Sequence, residues 1–250
     1  MGFSSVVYRE MKLYAFSKLN IVLSLSAPLI YSLLFASSLA GTISEVDFRG
    51  TLVSYPEFVV PGLVVLTTLL SAMTSSQSVF QERDSGMLLE ILSCPIHPNV
   101  YVAGKIFGTA VVSSVQGVGL LLATVLFFRL DWSPMALLRG TLLIPLFSLT
   151  FNAMYLCMCG LARNIQTFIL SMNVVTMILM FSGTVFYPIA SVPTWLRLFA
   201  TVNPVTLSCE TARAAFLGLS MSTSLIILLA VMFLITLCAM IILRRNVLTL

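Results

Sequence analysis

Six long apolar runs, separated by short polar breaks, fill most of this chain. They cover Leu19–Ala40, Phe58–Phe80, Val100–Phe128, Ala136–Leu161, Phe168–Tyr187 and Thr223–Leu243. A helix needs about 20 apolar residues to cross about 30 Å of hydrocarbon, and each run is of that order. Continuous runs argue against a membrane β-barrel, whose strands alternate apolar and polar residues over short segments. A helix also closes its own backbone hydrogen bonds, which lipid cannot do for it. Composition points the same way. Hydrophobic residues make up 59% of the chain and charged residues only 9%, against about a quarter charged in soluble domains. The predicted fold class is an all-α integral membrane protein: one domain, residues 1–250, with six transmembrane helices.

The placement of Lys and Arg sets an orientation. With the N-terminus in the cytoplasm, Arg9, Lys12, Lys18, Arg83, Lys105, Arg163, Arg244 and Arg245 fall inside, while Arg49, Arg129, Arg139, Arg197 and Arg213 fall outside. The first run is preceded by basic residues and the last ends on Arg244-Arg245. Both termini are therefore expected in the cytoplasm. The basic residues are scattered and the net charge is only +4, so no nucleic-acid partner is implied. The sequence also shows no cleavable signal peptide.

Three segments are not simple spans. Within residues 1–18, Phe3, Val6, Val7, Met11, Tyr14 and Ala15 recur at helical spacing, with Arg9, Glu10 and Lys12 read as lying largely elsewhere on the wheel. That pattern predicts an interfacial helix, its apolar side in the acyl boundary and Arg9 and Lys12 near anionic headgroups. Residues 81–99 hold Glu82, Arg83, Asp84, Gly86, Leu88, Glu90, Ile91 and Pro95. Asp84 or Ser85 is expected to cap a short helix that Pro95 bounds. Leu88, Ile91 and Leu92 would then form an apolar stripe for a soluble partner. Residues 188–220 follow Tyr187-Pro188 and are cut by Pro193, Asn203-Pro204 and Gly218 into two helical pieces, about Thr194–Ala200 and Val205–Leu217. Two re-entrant half-helices on the outer side are expected there. Glu210 and Arg213, three apart, would pair and so lower the cost of their charge.

Several chemistries lack their residues. His97 is the single histidine and is expected in a solvated loop, so neither a His-based metal site nor a Ser-His pair is available. Cys94, Cys157, Cys159, Cys209 and Cys238 lack metal-site spacing and read as packing residues. No G-x-x-x-x-G-K-[ST] loop is present, so the chain has no phosphate-binding loop with which to hydrolyse ATP. The acidic residues all fall in predicted loops, at interfaces or in the re-entrant segment, which leaves a proton relay without a carrier. The aromatics Phe147, Phe151, Tyr155, Phe181 and Phe186 read as packing. No catalytic or metal-binding residue is assigned.

At this point the chain resembles the membrane subunits of ABC-2 type exporters. The resemblance rests on the pattern Glu82, Arg83, Gly86, Ile91 and Pro95, on Gly104-Lys105 at the start of the third run, and on Phe181-Ser182-Gly183, Tyr187-Pro188 and Asn203-Pro204. It implies an inner (plasma) membrane protein working with a second copy of this or a similar permease. Separate ATP-binding-cassette subunits would carry the ATP and Mg. It further implies that Phe3–Ser17 and Glu82–Pro95 contact the ATPase, and that the re-entrant pair closes the outer end. Gly104 and Gly108 form a small-xxx-small pair suited to close helix approach. The substrate expected is an amphipathic, lipid-like or glycan-linked molecule or drug. Two other classes remain open from the residues: a stand-alone channel or secondary carrier, and a membrane-embedded lipid-modifying enzyme using Asp131, Glu210 and Arg213.

Overall fold

A computed structural model describes residues 2–16, 22, 26, 28–36, 45–93, 97–162, 164–189 and 193–248. Half of the expected first span, Leu19–Ala40, lies outside the described residues, as does Pro95. Among the described residues five helices are long and apolar enough to cross a membrane.

In chain order the elements are α1 (Phe3–Phe16), β1 (Glu45–Phe48), β2 (Thr51–Ser54), α2 (Tyr55–Asp84), α3 (Met87–Ser93), α4 (Pro98–Phe128), α5 (Pro134–Leu161), α6 (Ile165–Ser182), α7 (Thr194–Val202), α8 (Pro204–Phe216) and α9 (Ser222–Leu248). A short π-helical turn spans Ser32–Ala36. The polar breaks supply the helix starts. Glu57 reaches back to Ser54, its carboxylate taking the backbone N–H at 3.0 Å and the hydroxyl at 2.7 Å, ahead of α2. Ser133, Asn164 and Asn203 accept from Ala136, Thr167 and Val205 N–H to open α5, α6 and α8. Pro98, Pro134 and Pro204 sit in first turns, where a missing N–H costs nothing.

α2 is the axis of the bundle. Phe58, Val59, Val60, Leu63, Val64, Val65, Leu66 and Leu69 are all fully buried, and α4, α5, α6 and α8 pack around it. α6 holds on by a narrow stripe: Phe168 stacks on Phe80 with ring centroids 5.1 Å apart, and Thr176 meets the Tyr155 hydroxyl at 2.6 Å. Phe147, Phe151 and Tyr155 are fully buried packing residues as expected, whereas Phe181 is exposed.

Three expectations need correction. The fold is not purely α, because β1 and β2 pair antiparallel with Phe48 opposite Thr51. Arg49 and Gly50 both take positive φ, 55° and 80°, the conformation of a tight hairpin turn, and the Asp47 carboxylate accepts the Gly50 N–H at 2.8 Å. Alternating Val46, Phe48 and Val53 are buried, which is why this outwardly polar stretch forms strands. Next, the fifth run leaves the helix at Ser182 rather than Tyr187, because Gly183 turns to extended backbone. Finally, the expected loop from residue 81 is helical through Asp84, so Asp84 ends α2 instead of capping α3.

Candidate functional site

Around the start of α3, three helices converge on a buried set of charges. Lys105 of α4 is 1% exposed, and its ammonium lies 2.7 Å from Glu10 Oε1 of α1 and 2.7 Å from Glu82 Oε1 of α2. Arg9 donates to the same Glu82 oxygen at 2.6 Å, and the Tyr101 hydroxyl donates to Glu82 Oε2 at 2.6 Å. Two cations thus face two carboxylates, and the cluster is neutral. Buried charges survive only in such company, since each pays a desolvation cost that an unpaired ion cannot recover.

Glycine makes this contact geometrically possible. A Cβ on Gly104 would stand 2.8 Å from Val6 Cβ, and one on Gly108 would stand 2.9 Å from Glu10 Cβ. The small-xxx-small pair therefore seats α1. Val6 at Gly104, Glu10 at Gly108 and Tyr14 hydrogen-bonded to Gln116 follow one another in the same direction along both helices. α1 accordingly runs lengthwise beside α4. Glu10, expected off the apolar side of α1, lies on the packed face and is 6% exposed. Lys12 is exposed, while Arg9 is turned toward Glu82 and the Met87 sulfur at 2.7 Å.

The predicted docking residues separate. Gly86 breaks α2 from α3 with φ +75°, a conformation open to glycine and costly for other residues. Leu88 is buried at 4% exposure and Ile91 is partly buried, so these two residues of the stripe expected to face a partner instead face their own bundle, while the Leu92 side chain lies outside the described ones. Burial of an apolar side chain on the adjacent protein outcompetes leaving it in water. The outward side of α3 carries Met87, Leu89 at 58% exposure, Glu90 and Ser93. Arg83 is exposed with its guanidinium 5.7 Å from the Phe80 ring centre. His97 caps α4, its Nδ1 accepting the Asn99 N–H at 3.3 Å.

At the hairpin end of the bundle, α8 is almost wholly buried and Arg213 is fully so. Its Nε donates to the Phe58 carbonyl at 2.9 Å, and its Nη2 donates to the Thr184 and Val185 carbonyls. The guanidinium also lies 3.7 Å from the Phe58 ring centre. Gly62 leaves room, since a Cβ there would stand 2.7 Å from the Val185 oxygen. The expected Glu210–Arg213 pair is present at 3.6 Å, and Glu210 also reaches Arg49 at 3.6 Å. Arg49 further donates to the Ser220 carbonyl and the Ser224 hydroxyl, both at 3.0 Å. Asn203 ties α8 to α6 through the Leu179 carbonyl and the Ser182 hydroxyl, both at 2.9 Å. The Tyr187 hydroxyl donates to the Phe181 carbonyl, and Pro188 follows it directly in the chain. Among the described residues no ion pair joins Asp131 to Arg213, and no cluster of metal-binding side chains forms.

Residues 1–217 match the family model for the ABC-2 type transporter. The chain belongs to the ABC-2 type transporter family. Among curated relatives of this ABC-2 protein, "Inner membrane transport permease YadH" of Escherichia coli (strain K12) is 23% identical over 215 residues, covering 86% of this chain and 80% of YadH. "Putative transport permease ycf38" of Porphyra purpurea is 24% identical, over 74% of this chain and 64% of its own length. "Probable multidrug ABC transporter permease YbhR" of E. coli (strain K12) is 27% identical, over 60% of this chain and 41% of YbhR. As an ABC-2 family member, the chain is a permease subunit of an ABC transporter, a transport component and not itself an enzyme.

Glu82 and Lys105 both belong to the sequence pattern that carries the resemblance, but that pattern does not reach all the residues that join them. Glu10 and Tyr101 are the two missed members of the charge cluster. Arg49 is the missed member at the hairpin end.

Proposed function

We propose that this chain is the membrane subunit of an exporter, with the α3 end of the bundle cytoplasmic and both termini on that side. The single observation that carries the reading is the buried ion cluster of Arg9, Glu10, Glu82 and Lys105, which ties α1, α2 and α4 together immediately beside α3. A separate ATP-binding-cassette subunit, holding ATP and Mg, docks on the outward side of α3 around Met87, Leu89 and Glu90, flanked by Arg83. Displacing α3 then drags α1 and α4 with it, because parting the cluster would strand buried charge. A second copy of this or a similar permease completes the pathway, and the inner membrane is the expected location, in keeping with the name of the YadH relative.

At the far end, α7 and α8 act as the outer closure. α8 is the buried limb and Arg213 its fastening, while α7 exposes Trp195, Leu198, Phe199 and Val202. An amphipathic, lipid-like or glycan-linked molecule or a drug is the cargo consistent with a bundle whose buried charges, among the described residues, gather at its two ends, in the Lys105 cluster and at Arg213, with uncharged polar groups between them. Gentle extraction from native membranes tests the reading. A soluble partner with a Walker loop should co-elute in stoichiometric amount, and Leu89→Asp should abolish that co-elution. Full-length protein that elutes alone, and moves substrate in liposomes without nucleotide, would sink the proposal in favour of a carrier.

A further inference from the structure

Hydroxyl side chains on the span helices mostly obey one rule. Thr67, Thr109, Ser113, Ser114, Thr124 and Thr150 each donate to the carbonyl four residues back. That carbonyl is within reach of a helical serine by rotation about one bond. Ser71, Ser76 and Ser148 break the rule: each is at most 1% exposed, and none of their hydroxyls has a partner. Asn152, 0% exposed, joins them. Its amide nitrogen is fully used, donating to Ser113 Oγ at 3.0 Å and to the Ser148 carbonyl at 2.8 Å. Oδ1 therefore points the other way and meets no donor. Ser113 cannot supply one, because its own proton goes to the Thr109 carbonyl at 3.1 Å.

Ser71, Ser148 and Asn152 lie near one junction of the bundle. A Cβ on Gly117 would stand 2.8 Å from Thr68 Cγ2 and 2.9 Å from Ile144 Cγ2, which fixes where α2, α4 and α5 meet. Toward the α3 end from that contact, Ser71 of α2, Ser113 of α4, and Ser148 and Asn152 of α5 all fall within about two helical turns, whereas Ser76, five residues beyond Ser71, turns to another side of α2.

We propose that the α2/α4/α5 junction is an internal water site, in which about one or two molecules donate to Asn152 Oδ1 and exchange hydrogen bonds with the Ser148 and Ser71 hydroxyls. The unmatched atoms are an acceptor and hydroxyls, with no carboxylate or base among them, so the occupant must bring protons and has no charge to neutralise. In a dry junction each serine would turn back to its own helix, since a buried hydroxyl without a partner is disfavoured. Water-mediated contacts re-form after small helix shifts, whereas a direct side-chain bond must break first. The junction thus supplies a wetted joint at the axis of the bundle, and it stands independently of which molecule the protein moves.

The test uses the full chain in lipid nanodiscs. Ser148→Ala and Ser71→Ala add no volume, and each is expected to lower Tm by about 2–4 °C as the water loses a partner. Melting in sodium chloride and in choline chloride should coincide. A density map is expected to show an ordered peak about 2.8 Å from Asn152 Oδ1. Variants that melt at the parental temperature or above it, with an empty junction, overturn the proposal. A sodium-dependent rise in Tm that both variants abolish overturns it too, and makes the junction a monovalent-cation site.

Discussion

Replacing Lys105 by methionine keeps the length of the side chain but removes the ammonium that both Glu10 and Glu82 share. Breaking a buried pair costs about 3–5 kcal/mol because the surviving charge is left uncompensated. Here Arg9, 30% exposed, still holds Glu82 at 2.6 Å and stands 3.6 Å from Glu10, so the lower bound, about 3 kcal/mol, is expected. For a chain of this size that corresponds to a fall in Tm of about 6–12 °C. Thermal unfolding in nanodiscs, followed by tryptophan fluorescence, measures it. Adding Glu10→Gln removes the stranded carboxylate and should restore about half of the loss or more, since a neutral set of similar shape is close to balanced. A Lys105→Met protein melting within about 2 °C of the parent would refute the reasoning. So would a double variant whose loss is the plain sum of the two single ones.

Further outcomes follow from the same contacts. Leu89→Asp should leave Tm within about 2 °C of the parent while abolishing ATPase-coupled transport, whereas Leu88→Asp, which buries a charge, should lower Tm by about 6 °C or more. Gly104→Val drives a branched side chain into Val6 and should cost about 1–3 kcal/mol, with earlier protease cleavage in α1 as the readout. Arg213→Gln strips donors from the Phe58, Thr184 and Val185 carbonyls, each worth about 1–3 kcal/mol when left buried and unpaired. Hydrogen exchange should then rise selectively over residues 183–188, and parental exchange rates there would count against the fastening role of Arg213.

Much of the architecture was legible because the punctuation is physical. Pro193 and the Asn203-Pro204 pair mark the ends of α7 and α8 to within two residues, since proline cannot continue a helix and Asn203 caps the next one. The hairpin was hidden in a stretch rich in charges. Its signal was the period-two burial of Val46 and Phe48 with Arg49-Gly50 at the turn, too short to outweigh the polar composition. Glu10 carried a clue of its own, because it shares three- and four-residue spacing with Phe3, Val6, Val7 and Tyr14. An acid on an apolar face needs a buried cation. Nothing local says which one, and Lys105 lies 95 positions away. The inward turn of Leu88 was equally invisible, because an apolar stripe reads the same whether its own bundle or another chain covers it.

The fastening made by Arg213 joins residues 155 positions apart. At about 5–20 residues per second of synthesis, the start of α2 is laid down roughly 8–30 s before the guanidinium that closes it exists. During that interval the Phe58 carbonyl and the whole hairpin end depend on whatever the nascent chain, the insertion machinery or a chaperone supplies. Assembly of this protein is therefore completed from its C-terminal third. A ribosome that stalls before residue 213 leaves a bundle that lacks α9 and has its hairpin end open, a natural signal for quality control to read.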